Sequence, residues 1–338
     1  MVENFGLLPT GEQASLYTIS CGPLTARVTD LGATLVSLMV PDRDGQTADV
    51  VLGYDDAAGY LRGVAFFGAT VGRNANRVKN ACFPLGGKLI HMTQSEHTNN
   101  LHSGFDFFHR RLWQVERQSE NAITFRLNSP NGDQGFPGNA VIRVTYTLEY
   151  PSSLRITYDA LCDADTVFNM TNHSYFNLAG HDRAELALDQ TLMLPARHFT
   201  VCDEQTIPTG ELRSVGGTPM DFRSPKPLKQ DIAADYEPLR LTDGYDHNFE
   251  AFCSPCAVLT DPHSCRTMAL TTDCPGIQLY SGNFTNETGK GGIHYGKYSA
   301  VCLETQFYPD SVNHPEWRQP FTKANTPYHS ETVYQFSW

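Results

Sequence analysis

The sequence predicts a mainly β protein: a large antiparallel β-sandwich with few short helices, with residues 1–338 forming a single domain. Three observations carry this expectation. Short segments alternate apolar and polar residues, turn chemistry separates them, and convincing amphipathic helices are scarce. The clearest segment is 140–149. Ala140, Ile142, Val144, Tyr146 and Leu148 share one face, while Val141, Arg143, Thr145, Thr147 and Glu149 share the other. That is the pattern of a half-buried strand.

The remaining elements follow the same logic. Leu154, Ile156, Tyr158 and Ala160 repeat the alternation after the Pro151-Ser-Ser turn. Leu24–Thr29, Thr34–Val40 and Ala122–Leu127 read as further strands. Asp44-Gly45, Gly86-Gly87, Asn131-Gly132-Asp133 and Gly216-Gly217 supply turns. Leu228–Asp235 and Asp55–Leu61 are the two plausible short helices. No repeat of fixed short period occurs.

Composition narrows the function classes. Of 338 residues, 40% are hydrophobic, enough for a full core, and 19 Phe with 15 Tyr suit a β-rich fold. A net charge of −12 disfavours nucleic acid and anionic membrane as partners, since both select basic surfaces. It also disfavours a phosphorylated substrate and leaves a neutral sugar open. The N-terminus lacks a basic region followed by an apolar run, and no stretch is long and apolar enough to span a bilayer. With nine cysteines, an odd count, the expectation is a cytoplasmic protein with reduced thiols. A monomer is expected because no exposed apolar stripe stands out. The sequons at Asn169, Asn172, Asn283 and Asn286 are then chance matches.

Candidate chemistry concentrates in a few places. In Val167–Leu178, read as one strand, Asn169, Thr171, His173 and Tyr175 fall on one face. Buried polar side chains need partners, which points to a wet pocket; a core histidine bonded to a carbonyl is the plainer reading. Glu304 sits among Cys302, Leu303 and Phe307, where desolvation raises a carboxyl pKa towards that of a general base. A buried structural ion pair explains the same segment. Arg73, Asn74, Asn76 and Arg77 cluster near a turn, His102 lies beside another, and Asp246 with His247 follows a third. Cys253-Ser-Pro-Cys256 is one half of a zinc knuckle pair, with Cys265 and Cys274 standing alone, so no metal is expected. Dinucleotide, metalloprotease and nucleophile-elbow motifs are missing, so no cofactor is expected.

Taken in order, the motifs resemble the aldose 1-epimerase (galactose mutarotase) family along nearly the whole chain. They are Gly68–Arg77 with Val78, Asn100-Leu-His-Ser-Gly104, Gly132–Gly138, Asn172-His-Ser-Tyr-Phe-Asn-Leu178, Thr218–Arg223, Gly244–Phe249, Pro275–Phe284, Leu303-Glu-Thr-Gln306 and Pro309–Asn313. The resemblance implies the family's supersandwich with a sugar cleft and interconversion of α and β anomers of free aldohexoses such as galactose and glucose. It implies Glu304 as general base, His173 as general acid and His102 as a second catalytic histidine near the ring oxygen. Asn76, Arg77, Asp246 and Gln278 are implied as substrate contacts. A nearby carboxylate or hydrogen bond is expected to keep His173 charged. Ser103 departs from the commoner Leu-His-Gly-Gly, and Phe168 stands where a small residue is common. Three rivals remain: an enzyme for a hexose 6-phosphate using Arg73, Arg77, Arg110 and Arg111; a non-catalytic sugar-binding module; and a glycosidase using Glu304 with Asp246.

Overall fold

In the computed structural model, which describes residues 1–338, three antiparallel sheets carry most of the strand residues. A five-stranded meander runs Val2–Leu7, Gln13–Cys21, Leu24–Thr29, Thr34–Pro41 and Thr47–Asp49. A nine-stranded sheet has Ala140–Glu149, Ser153–Cys162 and Tyr328–Ser337 near its centre. A six-stranded sheet is ordered Tyr175–Phe176, Val301–Gln306, Gly276–Tyr280, Asp246–Glu250, His198–Cys202 and Pro208–Ser214. The expected fold class is therefore observed.

Alternation does what the sequence pattern requires. Ala140, Ile142, Val144, Tyr146 and Leu148 are all buried, and the residues between them are half-buried. They join a 53-residue apolar cluster with Val28, Leu35, Leu38 and Val40 of the meander and Ile277, Leu279, Val301 and Leu303 of the six-stranded sheet. One core thus joins the three sheets. Gly86 and Gly87 both take positive φ (59° and 76°), which lets a two-residue turn join Cys82–Leu85 to Lys88–His91.

Two expectations need correction. Val167–Leu178 is not one strand. Thr166–Val167 pairs with Phe321–Thr322, Thr171–His173 with Ala69–Val71, and Tyr175–Phe176 with Val301–Cys302. The chain passes from one layer to another, and its polar residues satisfy successive neighbours instead of one face. Leu228–Asp235 yields only a 3-10 turn at Leu228–Gln230, where Lys226 is tied back to Asp231 at 2.6 Å. A helix forms instead at Glu237–Thr242, with Pro238 in its first turn, where its missing N–H costs nothing. The other expected helix is present as Ala57–Arg62, capped by Asp56, whose Oδ1 accepts the Gly59 amide at 2.7 Å.

Arg73 is fully buried and acts as a clasp. Its guanidinium donates to Ser129 Oγ and O, Thr166 Oγ1 and the carbonyls of Pro130, Pro137 and Gly138. Arg73→Met leaves these acceptors without a donor, and each buried orphan costs about 1–3 kcal/mol. We expect a loss of roughly 3 kcal/mol or more in urea unfolding. A loss under about 1 kcal/mol contradicts the clasp.

Candidate active site

The site follows from one buried strand. All six residues of Val301–Gln306 are buried. Val301 and Leu303 join the large core, so the alternate residues Cys302, Glu304 and Gln306 face the other way. Register then gathers the site: Glu304 lies opposite Gln278, Cys302 opposite both Tyr280 and Tyr175, and Tyr280 opposite Asp246. Pairing of Asn100–Leu101 with Arg77–Val78 brings His102 beside Asn76.

These elements surround a cleft of about 380 Å³, in the usual range for small-molecule sites. His102, His173, Glu304, Asn76, Arg77 and Asp246 all line it. Gln278 sits just behind, donating to Asp246 Oδ1 at 2.6 Å. His173 Nε2 is 3.6 Å from Glu304 Oε1. Glu304 Oε2 and Gln278 Oε1 are buried with no protein partner, which leaves them as acceptors for a ligand's hydroxyl groups.

His102 is fixed by reciprocal bonds with Asn76. Its Nδ1 accepts the Asn76 amide at 3.1 Å, and its own amide donates to the Asn76 carbonyl at 3.0 Å. In the neutral ring Nδ1 is then unprotonated, so Nε2 carries the hydrogen and acts as a donor. Both residues take positive φ (His102 52°, Asn76 62°), an unfavourable backbone state for residues other than glycine. Ser103 has φ 61° and is bound into the same loop, its Oγ donating to the Asn74 carbonyl at 2.9 Å. The departure from glycine at Ser103 therefore gains a hydrogen bond. Phe168 is buried and packs on Tyr328, with ring centroids 5.2 Å apart.

His102, His173 and Glu304 have donor atoms within 4.8 Å of one another, a histidine–histidine–carboxylate set. The His102 tautomer works against a cation, because the free nitrogen bears the hydrogen. Cys256 donates instead to the Leu270 carbonyl at 3.1 Å.

Electrostatics differ from expectation in one respect. Burial pushes the Glu304 carboxyl well above its usual range; the Asp246 charge adds to this and Arg77 opposes it. Burial also lowers His173, to about 4, and takes His102 well below its ordinary value. The carboxylate 3.6 Å away does not keep His173 charged, because both groups are desolvated together. Burial of both groups favours a neutral pair that shares one proton. Arg77 is half-buried and held by Glu96 through two bonds, 2.7 and 3.0 Å. It is the one cationic side chain lining the cleft, which also carries Glu96, Asp246, Glu287 and Glu304. Arg73 is consumed as a clasp, and Arg111 is paired with Asp106 and Asp133. Such a cleft repels a phosphate dianion.

Sequence reasoning missed several lining groups. Phe66 stacks on His173 at 5.8 Å, beside Tyr175, which the sequence did set on the same face as His173 and which stacks on it at 5.1 Å. Phe284, Thr285 and Asn286 line the cleft as well. Phe66 holds φ 59°, a backbone choice its local sequence does not announce.

The sequence profile of the family described as aldose 1-epimerase matches residues 15–335. The chain is 37% identical to the aldose 1-epimerase of Haemophilus influenzae over 335 residues, covering 97% of each. It is 38% identical to the galactose mutarotase of Mus musculus over 340 residues, covering 98% of this chain and 97% of that one. A solved aldose epimerase homologue from C. elegans superposes with a TM-score of 0.89 at 33% identity, covering 96% of this chain and 99% of that one.

The buried histidines make stability pH-dependent. Burial lowers His247 to about 3, and its Nδ1 accepts the Asp246 amide at 3.1 Å. An unfolded histidine titrates near ~6.5. With the folded value depressed, the stabilisation is complete above about 6.5 and is lost as pH falls towards the folded value. The urea midpoint is expected to fall between pH 6.5 and 4 less steeply in His247→Gln than in the wild type. Equal slopes contradict a buried neutral His247.

Proposed function

The chain belongs to the aldose 1-epimerase family, and on that premise we propose that it interconverts the α and β anomers of free galactose and glucose, with Glu304 and His173 moving the protons. The observation that carries this reading is the pair itself: two buried titratable groups 3.6 Å apart, between which burial favours one shared proton.

A pyranose anomer is a cyclic hemiacetal. Opening it takes a proton from the C1 hydroxyl and gives one to the ring oxygen. The shared proton first passes from Glu304 to His173 Nε2; Glu304 then accepts the C1 hydroxyl proton as its carboxylate, and protonated His173 donates the second from Nε2. As the C1 hydroxyl becomes a carbonyl, the C1–O5 electron pair goes to the ring oxygen. Charged Glu304 and His173 thereby become a neutral acid and a neutral imidazole. Desolvation penalises that charged arrangement, so once it has formed the transfers run downhill to the opened state, where both groups are neutral again. Rotation about C1–C2 exposes the other carbonyl face, and the reverse transfers close the ring. Each group stands where it started, and no net proton is exchanged.

The other residues hold the sugar while the aldehyde turns. His102 donates from Nε2 to an oxygen near the ring oxygen. Arg77 donates to a hydroxyl while Glu96 holds its fork in place, and Asn76 keeps the His102 tautomer. Asp246, steadied by Gln278, accepts from sugar hydroxyls. Phe66 offers an apolar wall. Positioned acid and base groups each contribute about 10²–10⁴-fold. With Arg77 already paired to Glu96 and with Asp246 and Glu287 also lining the cleft, a hexose 6-phosphate is the poorer ligand. A silent binding module needs no buried proton-sharing pair.

We also read residues 1–338 as one domain, because a single 53-residue core joins all three sheets. The reading of no nucleic-acid or membrane partner rests on the −12 charge, that of a cytoplasmic protein on nine cysteines that form no disulfide, and that of a monomer on the lack of an exposed apolar stripe in the sequence. No helix is long and apolar enough to cross a membrane.

Polarimetry on freshly dissolved α-D-galactose and α-D-glucose tests the reaction. The wild type should speed the approach to equilibrium without moving its end point. Glu304→Gln and His173→Asn should each lose at least about two orders of magnitude in kcat. A wild type that leaves the spontaneous rate unchanged on both sugars overturns the reading. Asp246→Asn should chiefly raise KM; an unchanged KM removes Asp246 from the sugar contacts.

A further inference from the structure

His173 has a second nitrogen, and the strand that carries Glu304 meets that one too. Cys302 and Glu304 are two residues apart, so they face the same way, roughly 6.5 Å apart along the strand. The imidazole bridges that interval. Its Nε2 is 3.6 Å from Glu304 Oε1 and its Nδ1 is 3.6 Å from Cys302 Sγ. Cys302 is fully buried, and ring opening itself does not use it.

We propose that Cys302 is a positioning residue: its sulfur holds the Nδ1 edge of His173 so that Nε2 faces the pyranose ring oxygen, and a thiol, being a weak acceptor, leaves the imidazolium a strong acid. A protonated imidazole carries a hydrogen on each nitrogen. When Nε2 gives its proton to the ring oxygen, the Nδ1 hydrogen stays and is donated to the thiol sulfur. A carboxylate at this place would stabilise the imidazolium and weaken the acid. Burial holds the Cys302 thiol well above its ordinary pKa, so the sulfur stays a thiol and does not form a thiolate–imidazolium pair. Phe66 and Tyr175 pack on the ring, and neither supplies a partner for Nδ1.

The titratable groups facing His173 are Glu304 and Cys302 from one strand, Tyr175 at 5.1 Å between ring centroids, His102 from its loop at 5.4 Å, and Tyr280 at 6.4 Å. His109 and, across the cleft, Arg77 and Asp246 complete the field. In the neutral pair the carboxyl already holds its proton, so taking up a further one charges the imidazole. The acid limb of kcat/KM therefore reports His173 in the free enzyme.

The inference rests on His173 as the proton donor, so His173→Asn is measured alongside Cys302→Ser and Cys302→Ala. A serine hydroxyl is the better acceptor and should hold the imidazolium proton more firmly, moving the acid limb up by roughly half a pH unit. Alanine leaves Nδ1 without this partner and should move the limb down, with kcat several-fold lower and KM within about twofold of wild type. Serine should restore most of the kcat that alanine loses. Identical acid limbs in wild type and Cys302→Ser overturn the proposal, and that comparison stands even if the alanine variant does not fold. Full activity in His173→Asn refutes the underlying assignment instead, and is distinguishable because it does not involve Cys302.

Discussion

Burial of a carboxyl on a strand whose other face is core governs this structure. Val301 and Leu303 anchor the strand in the 53-residue cluster, which leaves Glu304 no route to water except through the cleft. An ionised carboxylate there is costly, and the imidazole 3.6 Å away is desolvated by the same surroundings. The two groups settle as a neutral pair with one proton between them. Ring opening of a hemiacetal requires that relocation of charge, from base and acid to their neutral conjugates. The cost of charging the pair is therefore returned as the ring opens, because opening restores both groups to their neutral forms.

Around that pair the charged groups divide into two kinds. Arg73 is spent on carbonyls and hydroxyls deep in the fold and so ties down its own loop, whose Asn76 and Arg77 form one wall. Arg77 is bound by Glu96 yet keeps an edge towards the cleft. Sequence proximity placed the two arginines in one cluster, while their side chains serve structure and substrate respectively. Left-handed backbone at Phe66, Asn76, His102 and Ser103 gathers at the same wall, which is where strain is stored when geometry must be held.

Much of this was legible from the residues. Strand alternation gave the sheets within a residue or two at Leu24–Thr29 and Ala140–Glu149, because a period of two with one buried face admits few other solutions. Glu304 and His173 stood out as polar groups in apolar or strand-like segments. The Val167–Leu178 segment misled because three short pairings, each with a different partner, look like one strand when only the local pattern is read. The charge state of His173 was also misjudged: a nearby carboxylate is a local feature, whereas desolvation depends on everything packed around the ring. Phe66 and Cys302 carry no sequence signal of their own, since each owes its place at His173 to backbone φ or cross-strand register.

The central claim is that Glu304 and His173 rest as a neutral pair in the free protein. Infrared difference spectroscopy of the wild type against Glu304→Gln at neutral pH, with the glutamate carboxyl isotopically labelled, tests it most directly. A protonated-carboxyl C=O band is expected in the free wild type, vanishing in the variant and giving way to carboxylate when the pH is raised. A carboxylate band for Glu304 already present at neutral pH in the free protein would show the pair to be charged and would contradict the account.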